Sequence, residues 1–195
     1  MPKVLDHDQR RQEIAEAVWR LIMRDGMSGV SVRDVAAEAN LSTGSLRHMF
    51  ATKTDLLAYS MQLVHARLGI RVRAHVAIAD PRERALAMLS EVLPLDEVRR
   101  TQLIVILSLT TEAPSHPAVQ ELTRQAQRET RQAYVGLLEY LSRKGLVAPH
   151  LDIELEAVRL HALVDGAALH SLLGEPDTPD SALKVVTDHL DSLAP

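Results

Sequence analysis

A chain of 195 residues with a net charge of -4 and no cysteine rules out several classes at once. Disulfides, thiolate metal sites and cysteine nucleophiles are excluded. No apolar run reaches the ~20 residues of a membrane span, and the opening MPKVLDHDQRRQE is too charged for a secretory signal, so a soluble cytoplasmic protein is expected. Leu, Ala, Val and Arg dominate, Gly is sparse and few stretches alternate with period two, which points to an all-α chain. The charge is unevenly spread. Residues 1–75 hold 11 Lys and Arg against 8 Asp and Glu, whereas residues 76–195 hold 11 against 18. The front can meet a polyanion and the back cannot.

Residues 1–8 read as a frayed tail. The first helix is expected from about His7 to Arg24, with Ile14, Ala17, Val18, Leu21 and Ile22 as its apolar stripe and Gly26 as its stop. Trp19 lies beside that stripe, where a packing role outweighs stacking on nucleic acid.

Ser31 to Phe50, SVRDVAAEANLSTGSLRHMF, reads as two short helices with a tight corner between them. Ser31 caps the first, with Asp34 three residues on, and Val32, Val35, Ala36 and Ala39 make its apolar face. Asn40 can take the left-handed conformation that ends a helix. Ser42 caps the second, in which Leu46 and Phe50 fall on the buried side. The opposite face carries Thr43, Gly44, Ser45, Arg47 and His48. It starts small, is polar throughout and has no carboxylate. Such a face can enter a DNA major groove without repelling phosphate.

Thr52 caps a fourth helix, expected over Lys53 to Ala79, with Asp55 at the capping-box position. Lys53 opposes the helix dipole in the first turn, a penalty that a bound phosphate would remove. Asp80-Pro81-Arg82-Glu83 is a helix start, and that helix is expected to end near Leu93. The next covers about Asp96 to Glu112. Its run Leu103 to Leu109 is apolar all round, which predicts a fully buried helix. A seventh opens at Ser115-His116-Pro117 and closes at Arg143-Lys144-Gly145. The eighth runs from near Asp152 to about Leu173 and contains Gly166-Ala167-Ala168, where a mid-helix Gly suits close approach by another helix. Thr178-Pro179 caps the ninth. Its stripe of Ala182, Val185, Val186, His189, Leu190 and Leu193 is to be covered by the chain's own core or by a partner subunit.

The nine His are scattered, and His161 and His170 are nine apart, so they do not form a zinc pair on one helix face. No phosphate-cradling glycine loop or nucleophile elbow is present. No catalytic residue, metal or cofactor is expected, and the chain does not read as an enzyme.

LSTGSLRHMF followed by ATKTDLL resembles the DNA-binding signature of the TetR family of transcriptional regulators, a likeness running from Arg11-Gln-Glu-Ile14 to about Leu57. VDGAALHSLLGEPDTPDSALKVVTDHLDSL resembles the BetI-type regulatory domain of that family. Arg47 stands where the family commonly has a phosphate-contacting tyrosine, and Met49 where it has histidine or tyrosine. The resemblance implies a helix-turn-helix domain over residues 1–52 and a helical ligand-binding and dimerisation domain over 53–195, about nine helices in all. It implies that Thr43, Ser45 and His48 face bases, with Gly44 leaving room for close approach. Ser31, Arg33, Ser42, Arg47 and Lys53 then position the DNA backbone, and Arg47 could instead read guanine. Two copies would read the halves of a palindrome. The last two helices would form the interface through Leu163, Gly166, Ala167, His170, Ala182, Val185, Val186, His189, Leu190 and Leu193. A small-molecule effector would bind among helices four to seven, with Met61, His65, Met88, Leu103, Leu107, Tyr134 and Leu138 as lining candidates, and release the DNA. Beyond the fourth helix only Tyr134 and Tyr140 are aromatic, a poor supply for caging a quaternary amine, so a largely aliphatic effector is expected. The alternative is a ligand-independent DNA-binding protein that uses its back module only to dimerise.

Overall fold

The computed structural model describes the backbone of residues 2–174 and 178–195, and the side chains of residues 7–174 and 180–195. Among the described residues there are nine α-helices and no strand. They are α1 (Pro2–Asp25), α2 (Val32–Glu38), α3 (Thr43–Met49), α4 (Lys53–Ala74), α5 (Pro81–Ser90), α6 (Glu97–Glu112), α7 (Pro117–Arg143), α8 (Ile153–Leu173) and α9 (Thr178–Ser192). None is long and apolar enough to cross a membrane. The expected cap at Thr178-Pro179 lies outside the residues whose side chains are described.

The chain divides into two compact units. The first joins Met1–Arg67 to Ile104–Gln125, and the second joins Leu68–Leu103 to Ala126–Pro195. The division expected after residue 52 therefore falls inside the first unit. Its core gathers Ile14, Val18, Leu21 and Ile22 of α1, Val35 and Ala36 of α2, Leu46 of α3, and Leu56, Leu57, Met61 and Val64 of α4. Val105 and Leu109 of α6 and Val119 of α7 belong to the same cluster. The second core is built from Ala85 and Leu89 of α5, Tyr134, Leu138 and Leu141 of α7, Leu160, Val164 and Ala168 of α8, and Ala182, Val186 and Leu190 of α9.

Several boundaries differ from the sequence expectation. Helix α1 starts at Pro2 rather than near His7. Pro is well suited to a first helical position, and no breaker follows before Gly26. Helix α4 stops at Ala74 and tightens into a 3-10 turn over His75–Ala77. Pro81 restricts the residue before it, and Asp80 is extended at φ -70°, ψ 123°, so the chain must leave the helix earlier. Helix α5 ends at Ser90, not Leu93. The fully buried α6 is not found. Val105 and Leu109 are buried, while Leu103, Ile104, Ile106 and Leu107 are half-exposed. A run without a polar face carries no information about which side packs. Here one stripe, four residues apart, takes the core.

Candidate nucleic-acid interface

Short-range hydrogen bonds build the α2–α3 corner. The Ser31 hydroxyl accepts from the Asp34 amide at 3.2 Å and also bonds the Asp34 carboxylate. Each such cap stabilises its helix by ~1 kcal/mol. Asn40 turns the chain with φ 54°, in the left-handed region, and the Leu41 amide then donates to the Ala36 carbonyl at 2.8 Å. Ser42 accepts from the Ser45 amide at 3.0 Å to start α3. One carboxylate ties the corner to α1, since Glu38 accepts from Arg20 at 2.7 Å and Arg24 at 3.0 Å. These two hydrogen bonds hold its carboxyl below the usual range.

Leu46 (1 % exposed) and Phe50 (4 % exposed) plug α3 into the core. With those two pointing inward, Thr43, Gly44, Ser45, Arg47 and His48 are all exposed on the other side. Ser42 and Arg33 are exposed as well, and Ser31 and Lys53 are half-exposed. A Cβ built on Gly44 would meet only the Ser42 hydroxyl, at 3.7 Å, so the space above Gly44 is open. The face holds no carboxylate, and the acids beside it are engaged. Asp34 is bound to Ser31, and Asp55 accepts from the Thr52 amide at 2.9 Å and from its hydroxyl at 2.8 Å. Arg33, Arg47 and Lys53 form no ion pair among the described residues. Cations left without carboxylates on an acid-free surface are ready to replace the counterions of a nucleic-acid backbone.

One link near this face left no trace in the sequence. Thr54, beside Lys53, bonds His116 Nδ1 at 2.8 Å across 62 residues, within the first unit. No local pattern could have paired them.

The other candidates are dispersed. Of the proposed effector-lining residues, Met61 and Leu138 are fully buried and Tyr134 nearly so, with burial pushing the tyrosine phenol up. His65, Met88, Leu103 and Leu107 are half-exposed. Met61, His65 and Leu107 belong to the first unit, and Met88, Leu103, Tyr134 and Leu138 to the second. The expected interface residues separate into two groups. Ala182, Val186, Leu190 and Leu193 are buried in the chain's own second core, and His189 is half-buried there with its pKa pushed down by burial. Leu163, Gly166, Ala167, His170 and Val185 line an open groove along α8 and α9, to which Ala182 also contributes.

Two family models cover most of the chain. Residues 14–59 match the bacterial regulatory proteins of the tetR family, and residues 81–195 match the C-terminal domain of BetI-type transcriptional repressors. The chain is 36% identical to the HTH-type transcriptional regulator PksA of Bacillus subtilis, over 99% of this chain and 94% of that one. It is 29% identical to BetI of Paraburkholderia phymatum, over 99% and 97% of the two. Among solved structures, a transcriptional regulator of Saccharomonospora viridis in complex with choline superposes with a TM-score of 0.80 at 27% identity, covering 94% of this chain and 96% of its own. A transcriptional regulator of Rhodococcus superposes with a TM-score of 0.81 at 27% identity, over 94% and 95%. The protein belongs to the TetR family: it is a transcriptional regulator, not an enzyme, with a helix-turn-helix DNA-binding domain and a BetI-type C-terminal domain.

Proposed function

We propose that the protein is a homodimeric repressor that binds a palindromic operator through two copies of α3 and leaves it when a small molecule binds the C-terminal domain. The carrying observation is the exposed, acid-free face from Thr43 to His48, backed by Arg33, Arg47 and Lys53, which form no ion pair among the described residues. A seven-residue helix spans roughly 10 Å and reads only a few base pairs, so useful specificity needs a second copy. The open groove beside Gly166 is a surface on which a second copy can pack about a two-fold axis. Selection from a random duplex pool tests this. An inverted repeat carrying an even number of chains, by native mass spectrometry, is expected. A monomer that enriches no sequence would overturn it.

Within this reading Arg47 anchors the DNA backbone. Arg47→Ala is expected to weaken binding about tenfold and to lower the salt slope by about one unit. A salt-titrated binding isotherm measures both. If neither moves, Arg47 does not touch phosphate.

The chain's own aromatic rings bear on the effector. It has five aromatic residues, and each has a nitrogen-bearing side chain against its ring. Arg11 lies over Phe50 and Tyr59, Arg67 over Trp19, His161 on Tyr134, and Arg84 over Tyr140. A quaternary amine would have to compete with those groups for the ring faces. Calorimetry with choline is therefore expected to show no saturable heat below millimolar concentration, and a micromolar isotherm would refute an aliphatic effector. A second reading, DNA binding without an effector, draws on the burial of Met61, Tyr134 and Leu138, which a ligand would have to displace.

A further inference from the structure

We infer that Arg11 is a positioning residue for DNA recognition: its guanidinium, packed against two aromatic rings, fixes the end of the reading helix α3 against α1 and α4. The guanidinium carbon lies 4.7 Å from the Phe50 ring centroid and 4.5 Å from that of Tyr59. The two rings are 5.4 Å apart and tilted by 52°, like the covers of a half-open book. Arg11 comes from α1, Tyr59 from α4, and Phe50 is the residue that ends α3, its amide donating to the Leu46 carbonyl at 2.9 Å. One side chain of α1 thus touches both the ring that ends the reading helix and a ring of α4.

The way this cation is satisfied matters. Arg11 Nε is buried without a hydrogen-bond partner, and Arg11 forms no ion pair among the described residues. Other arginines of the first unit, Arg20 and Arg24, are held by a carboxylate, that of Glu38. A carboxylate beside Phe50 would place negative charge next to the surface that must meet phosphate. Ring faces hold a guanidinium through their quadrupole and add no net charge. A planar, weakly hydrated guanidinium can stack on a ring face, which a lysine ammonium cannot. Helix α3 has seven residues and one buried side chain of its own, Leu46, so the contact at Phe50 has leverage over its direction. Small errors of direction displace Thr43 to His48 from the bases they must reach.

The test uses the full chain and the duplex recovered by selection, with a scrambled duplex of equal length as the non-specific control. Arg11→Ala, Arg11→Lys, Tyr59→Leu and the Arg11→Ala/Tyr59→Leu double variant are compared with wild type, each checked for folding by circular dichroism. Arg11→Ala and Arg11→Lys are each expected to lose about tenfold in affinity for the selected duplex. Their affinity for the scrambled duplex and their salt slope should stay at wild-type values. The double variant should lose no more than the worse single variant, because both remove one shared contact. A salt slope lower by about one unit would make Arg11 a phosphate contact instead. Wild-type affinity in folded Arg11→Lys would reduce its role to charge, and wild-type affinity in folded Arg11→Ala would reduce it to packing; either result overturns the inference. If Arg11→Ala does not fold, Arg11→Lys and Tyr59→Leu decide. A wild-type protein that enriches no duplex would sink the proposed function, and that failure is visible before any variant is measured.

Discussion

Gly166→Leu is expected to leave the single chain folded, to make it monomeric, and to weaken operator binding on the order of a thousandfold. The reasoning starts from what a side chain at Gly166 would meet within one chain. A Cβ there has nothing within 4 Å, so the chain itself does not require glycine. Glycine in a helix interior costs ~1 kcal/mol relative to alanine, so its retention at the middle of α8 is unfavourable for an isolated chain. Close approach of a second helix would explain it. Around a two-fold axis the same groove meets itself, so a leucine would appear twice in one contact and force the helices apart. Val185, 44% exposed on α9 across the groove, loses its cover in the same step. Sedimentation should show a monomer with a melting temperature set by the two intrachain cores. Operator affinity should fall on the order of a thousandfold, because each chain then reads only one half-site. A dimeric Gly166→Leu protein with unchanged binding would place the pairing surface elsewhere.

The features that could be read ahead of the structure act within about four residues. Ser31, Ser42, Asp80 and Asp152 each accept from an amide two or three residues on, and each opens a helix where the pattern put one. Asn40 and Gly145, at φ 54° and 73°, mark ends that their residue types announce. The exposed face of α3 follows from Leu46 and Phe50 alone, because one buried position within the short helix and one at its end set which side faces out. What stayed hidden depends on distant partners. An apolar stripe states that something covers it but not what, so Ala182, Val186, Leu190 and Leu193 left the chain's own core open beside the partner subunit that the resemblance favours. They lie in the chain's own core. Residues 104–125 join the reading head's unit, although the motif ends near residue 57. Nothing local marks Arg11, since its rings are 39 and 48 residues away in sequence.

Leu46→Ala is expected to unfold the reading head well below the wild-type melting temperature. Leu46 is 1% exposed, and it is the one buried residue within α3 itself. A seven-residue helix has no stability of its own in water, so tertiary packing holds it together. Truncating a buried leucine to alanine costs roughly 2–5 kcal/mol through lost transfer energy and the cavity left behind. The higher end applies where neighbours cannot collapse. Here Val35 and Ala36 of α2 and Leu56 and Leu57 of α4, in the same core, belong to helices with buried contacts of their own. A unit of this size loses about 4–8 °C per kcal/mol, so the transition should fall by on the order of 10 °C or more. Trp19, the single tryptophan, is 7% exposed in the same core and reports this unit by its fluorescence. Leu46→Met, which keeps the volume, should cost less than about 1.5 kcal/mol. The two variants also part on DNA. At a temperature where both are folded, the alanine variant should bind the operator more weakly than the methionine one, because the cavity lets α3 settle inward and draws Thr43 to His48 away from the bases. If Leu46→Ala melts within 2–3 °C of wild type, Leu46 is not what seats the reading helix, and the outward presentation of Thr43 to His48 must rest on Phe50 and the Ser42 cap instead.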